Sequence, residues 1–227
     1  MSLYQLLRQH VRPALAPLVM LWLGVLSLPA QALDPATTDA MGELQQRWAE
    51  IRYQFPEDKR EAALEQLAQL AKERHAQYPE SPELLIWEGI ILSTWAGEKG
   101  GLGALKLVGE ARDCFEQAIE QDPEALAGSA YTSLGALYYQ VPGWPISFGS
   151  DKKARSLLEQ ALNIDPYGID SNFFYADFLV AQQEYGAARK ALERALAAPQ
   201  RPGRELADQG RRQEIRNLLA QIDDKDT

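Results

Sequence analysis

Three segments of the chain align on one another without gaps: ARDCFEQAIEQDP from Ala111, ARSLLEQALNIDP from Ala154 and ARKALERALAAPQ from Ala188. Each begins with a small residue, has a large one four positions on (Phe115, Leu158, Leu192) and an alanine three positions further (Ala118, Ala161, Ala195). Spacings of four and three return to one face of an α-helix. Alanines on that face let a second helix approach closely, and the large residue fills the space beside them. Pro123 and Pro166 close the first two segments, and Pro199 closes the third one position early. A proline after the last turn prevents a helix from continuing.

A partner helix precedes each segment. ELLIWEGIILSTW carries Gly89, AYTSLGALYYQ carries Gly135, and SNFFYADFLVAQ has Ala176 at the equivalent point. A glycine inside a helix costs about 1 kcal/mol relative to alanine, so these positions read as places where the two helices of a hairpin cross. The period from Ala154 to Ala188 is 34 residues, and from Ala111 to Ala154 it is 43. Most of the excess falls in YYQVPGWPISFGSDKKA, residues 138–154.

This pattern resembles the tetratricopeptide repeat, a helix-turn-helix unit of 34 residues. The resemblance covers roughly residues 40–222. Upstream, Met41, Leu44, Trp48 and Ile51 form one helical stripe, and Leu64, Leu67, Leu70 and Ala71 form another, which together read as a divergent first hairpin. Downstream, RELADQGRRQEIRNLLAQI is expected to be a solvent-facing terminal helix. The expected fold is all-α, a right-handed solenoid of about four hairpins plus a C-terminal capping helix. No strand pattern appears.

The first residues read differently. MSLYQLLRQHVRP carries Arg8 and Arg12 and no acid, an apolar run follows from Ala14 to Leu28, and Ala30-Gln31-Ala32 closes it. That order describes a secretory signal peptide cut after Ala32. The run is shorter than the roughly 20 residues that span a bilayer, so no membrane span is expected after cleavage. The expected organisation is a signal peptide over 1–32, a linker over 33–39, the solenoid over 40–222 and a polar tail over 223–227, in the periplasm. Loss of Arg8 and Arg12 moves the net charge from −9 to −11, which disfavours nucleic acid as a partner. The one cysteine, Cys114, lies inside a repeat and reads as a small buried hydrophobe.

Catalytic chemistry is hard to assemble from these residues. His10 leaves with the signal peptide, and His75 alone cannot make a histidine-rich zinc site. KGGLGALKLVG, residues 99–109, follows no strand and matches neither a dinucleotide fingerprint nor a phosphate loop. It reads as a flexible turn. No enzyme activity, cofactor or metal is expected.

By the family resemblance, first helices of hairpins line a concave, partner-facing surface. The positions this implies include Ile86, Trp87, Ile90, Thr132, Ser133, Ala136, Tyr139, Phe173, Phe174 and Asp177. None is a cation, so the Lys, Asn and Arg clamp that some members use on a peptide carboxylate is absent. Such a groove suits an apolar or aromatic ligand, or a tail folded back into it. AGEKGGLGALK and VPGWPISFGS read as two enlarged loops on one edge, the second bearing Trp144, Ile146 and Phe148. Trp144 and Phe148 either recognise a partner or fold over the rim and pack. The resemblance implies an adaptor for a protein or peptide, with Trp87, Ile90, Tyr139, Trp144, Phe148, Phe173 and Asp177 as candidate contacts. A looser likeness, to the T-component of TRAP transporters, implies instead an accessory that binds a small hydrophobic ligand or a solute-binding protein.

Overall fold

The repeat alanines are all completely buried: Ala111, Ala154 and Ala188, then Ala118, Ala161 and Ala195, with Phe115, Leu158 and Leu192 between them. They organise a computed structural model that describes residues 34–224. The signal-peptide reading and the end of the tail lie outside the described residues. Among the described residues there are nine α-helices and no strand. They are α1 (Pro35–Gln54), α2 (Glu57–Gln77), α3 (Pro82–Lys99), α4 (Gly101–Gln121), α5 (Ala125–Gln140), α6 (Asp151–Ile164), α7 (Ile169–Ala181), α8 (Tyr185–Ala197) and α9 (Glu205–Asp223).

Eight helices pair as four hairpins. A Cβ built on Gly89 of α3 would sit 2.6 Å from the Phe115 ring of α4, and one on Gly135 of α5 would sit 2.8 Å from Leu158 of α6. The large residue of each second helix therefore occupies the space that the small residue of the first leaves empty. The prolines fall just past the helix ends: α4 caps at Asp122, α6 at Asp165 and α8 at Ala198. Ser150 caps α6 by accepting from the Lys153 N–H at 3.4 Å.

Odd-numbered helices touch one another along the array (α1 with α3, α3 with α5, α5 with α7), whereas the even-numbered helices do not touch. Inner helices in contact and outer helices splayed apart curve the stack into a solenoid. The fold is the tetratricopeptide solenoid that the repeat spacing implied.

The structure departs from the sequence reading at three points. First, α1 begins at Pro35, inside the segment read as a linker, with Thr37 and Ala40 already buried. Proline suits a first helical position because its missing N–H has no intrahelical partner there. Second, AGEKGGLGALK is not an enlarged loop. Only Gly100 separates α3 from α4; φ of 62° at Gly100 and 61° at Gly101 turns the chain within two residues. Buried Ala96, Leu107 and Val108 reward the extra helical turns on both sides. The enlarged-loop edge therefore has one loop, residues 141–150.

Third, α9 is not a solvent-facing cap. It packs on α8 and α7 and also reaches α1. Arg52 of α1 pairs with Glu214 of α9 at 3.0 Å, and the Tyr53 ring lies so close to Gly210 that a Cβ there would meet it at 2.4 Å. Several α9 charges turn inward: Asp208 and Arg211 are buried. The first and last helices thus meet across the concave side.

Candidate functional site

The inner helices and α9 enclose a groove of about 960 Å³. Its aromatic floor runs along Trp48, Trp87, Phe173 and Phe174, with Ile90, Thr132, Ser133, Ala136 and Asp177 beside them. Eight of the ten positions expected on the concave face line this groove. Ile86 does not; it is fully buried in the core. Nor does Tyr139, which packs edge-on against Phe178 at 5.5 Å and donates its hydroxyl to Asp177 Oδ2 at 2.5 Å. Burial first, and then the Asp177 charge, push the Tyr139 hydroxyl well above its ordinary pKa.

The expectation of a groove without cations is overturned. Arg52, Arg201, Arg204 and Arg211 all line it. They come from α1 and from the end of the chain, not from the repeats' first helices. Arg211 lies over Phe173 and Phe174, 4.3 and 4.7 Å from their centroids, and Arg204 lies 4.9 Å over Trp87. Guanidinium groups lie over the aromatic rings, so the groove is lined by cations as well as hydrocarbon.

Most of these charges are matched. Asp170, in the first turn of α7, accepts from Arg201 at 2.8 Å and from Arg211 at 2.8 Å. It ties α7 to α9. Burial alone would raise the Asp170 carboxyl, but Arg211 and then Arg201 outweigh it and hold it at about 2. Asp208 receives Arg201 at 2.6 Å, and Glu214 receives Arg211 at 2.7 Å. Arg204 has no such partner: its Nε is buried with no acceptor, and the same holds for the indole Nε1 of Trp87.

The groove wall at the start of α5 is strained. Leu126, Ala127 and Gly128 hold φ of 47°, 54° and 71°, a left-handed turn that costs a non-glycine residue about 1–2 kcal/mol. Gly128 fits because a Cβ there would meet Ile164 at 2.9 Å. Leu126 and Ala127 line the groove.

Trp144 and Phe148 lie away from the groove, on the α5–α6 loop, and behave differently from each other. Phe148 packs edge-on against Tyr138 at 5.3 Å, under the Arg112 guanidinium at 4.9 Å. Trp144 is 90% exposed and Ile146 65% exposed. The loop is tied at its base, Gly149 N–H to Pro142 O at 3.0 Å and Ser150 N–H to Tyr138 O at 2.7 Å. Cys114 is buried in the hairpin interior, where burial pushes its thiol pKa up.

Among solved structures, TTC0263, a thermophilic tetratricopeptide-repeat protein of Thermus thermophilus, superposes with a TM-score of 0.57 at 20% identity, over 82% of this chain and 80% of that one. MamA superposes with a TM-score of 0.43 at 15% identity, over 82% of this chain and 90% of that one. No protein-family model and no curated protein matches the sequence.

Proposed function

We propose that this tetratricopeptide-fold chain is an exported, non-catalytic adaptor that binds a short segment of another polypeptide in its concave groove. The observation that carries the reading is the groove itself, about 960 Å³, at the upper end of the roughly 300–1,000 Å³ of small-ligand sites. Hydroxyl, amide, carboxylate and guanidinium groups line it together with aromatic rings, a mixture that suits a peptide's backbone amides and side chains. A purely hydrophobic ligand would leave the Arg204 and Trp87 donors without acceptors, which favours the peptide over the transport-accessory alternative.

Export is supported by the order of residues 1–32. N-terminal sequencing of the protein from its own host is expected to begin at Leu33; a chain beginning at Met1 would count against export. For the groove, a displayed random-peptide library selected on residues 33–227 should yield sequences that compete with one another. Their binding should be lost in Ser133→Tyr, which fills the groove. Enriched peptides indifferent to Ser133→Tyr would place recognition elsewhere, and no enrichment would remove the peptide reading.

A further inference from the structure

Of the four arginines that line the groove, Arg52, Arg201 and Arg211 are each ion-paired and Arg204 is not. Asp170, Asp208 and Glu214 are each held by Arg201 or Arg211, and Glu214 also by Arg52. Arg204 forms no ion pair among the described residues, and burial followed by repulsion from Arg201 lowers its pKa. Asp170 and Asp208 act on this charge only from a distance, and a half-buried guanidinium with no direct ion pair is a costly element of the cluster.

An independent observation points to the same place. Trp87 is 3% exposed and lines the groove, yet its indole N–H has no acceptor. Nearly all buried donors in folded proteins are satisfied. Here two unsatisfied donors belong to one stacked pair, Arg204 Cζ standing 4.9 Å from the Trp87 ring centroid. A cation and an adjacent N–H call for one acceptor with negative charge and more than one oxygen. The left-handed turn at Leu126 and Ala127 borders the same groove, and backbone strain of this kind gathers at ligand sites.

We propose that Arg204 and Trp87 form a carboxylate-binding subsite of the groove, the guanidinium supplying the charge and the indole N–H a directional bond. The subsite rests on the groove reading above but has its own test. The carboxylate can come from an acidic side chain or from a chain end, so the probes are N-acetylglutamate α-amide, N-acetylglutamine α-amide and N-acetylglycine. Each is titrated into the folded chain while the indole N–H resonances are followed by NMR, Trp87 being assigned with Trp87→Phe.

The Trp87 indole resonance is expected to move with the glutamate probe (side-chain source) or with N-acetylglycine (chain-end source), and not with the glutamine probe. Arg204→Gln should weaken that response about tenfold or more, and Arg204→Lys, which keeps charge but not the planar fork, should weaken it less. If Arg204→Gln fails to fold, Arg204→Lys against the native chain carries the comparison. An unmoved Trp87 resonance, an equal response to the glutamine probe, or a response indifferent to both variants overturns the subsite. Displayed peptides that need an open groove while the carboxylate probes do nothing would remove the subsite alone. The converse result would remove the peptide reading and keep the subsite.

Discussion

The Tyr139 hydroxyl donates to the Asp177 carboxylate at 2.5 Å, fastening α5 to α7 beside the groove. Both residues stood out in the sequence as separate candidates for partner contact, yet each is engaged by the other. Tyr139→Phe is expected to reduce stability by about 1–2 kcal/mol, measured by urea denaturation. Asp177→Asn in the same chain should add less than its own single-mutant effect, because the pair forms one interaction.

Asp170 contributes to the acid limit and Tyr53 to the alkaline one. The Asp170 carboxyl is held at about 2, below its ordinary 3.8. The folded state therefore prefers it ionised: its contribution is complete above pH 3.8 and is lost as pH falls through about 2. The Tyr53 hydroxyl is pushed up from 10.0 to about 12, by burial first, with Arg211 opposing and Glu214 and Asp170 adding to the rise. Its contribution is complete below pH 10 and is lost as pH rises through about 12. Each is worth on the order of 2 kcal/mol. Thermal melting across pH should show both declines, with Asp170→Asn flattening the acid limb and Tyr53→Phe removing part of the alkaline one, to which the buried Tyr139 and Cys114 also contribute.

Gly89→Ala tests the hairpin contact. Helix propensity alone would favour alanine by about 1 kcal/mol. Against that, the new Cβ would stand 2.6 Å from the fully buried Phe115 ring, and overpacking of this kind costs about 1–3 kcal/mol. A net loss in calorimetric Tm is expected, with part of it recovered by Phe115→Leu. A gain in Tm would show that the hairpin yields at this point.

The α5–α6 loop should divide in two. Trp144→Ala is expected to leave stability within about 0.5 kcal/mol, as for other exposed positions. Phe148→Ala, which removes the contacts with Tyr138 and Arg112, should cost about 2 kcal/mol. Equal effects in chemical denaturation would contradict the division.

The hairpins were legible because their signal is local and periodic. Ala111, Ala154 and Ala188, with Phe115, Leu158 and Leu192 four positions on, describe one packed face within a single helical segment. The Gly100-Gly101 turn was misread because a glycine run looks the same whether it forms a loop or a two-residue corner. What decides between them is the burial of Ala96 and Leu107 on either side, a property of the assembled stack. The charged half of the groove left no trace in the sequence pattern. Arg211 meets Asp170 from 41 positions away, and Arg52 meets Glu214 from 162. No helical period links such residues, so a charged last helix read as a wet surface. The aromatic half was visible because Trp87, Ile90, Phe173 and Phe174 lie on first helices, whose orientation follows from the repeat.

Stacked-hairpin proteins ordinarily behave as linear chains of neighbours, in which an end unit can melt while the middle persists. The contact of α1 with α9 changes that connectivity. Arg52 to Glu214, and Tyr53 on Gly210, make each end a neighbour of the other. Losing either outermost helix then removes three helix interfaces instead of two, so fraying from an end carries a penalty that a linear array does not have. Melting becomes more nearly all-or-none, and an occupant of the groove would resist disorder at both extremes of the stack at once.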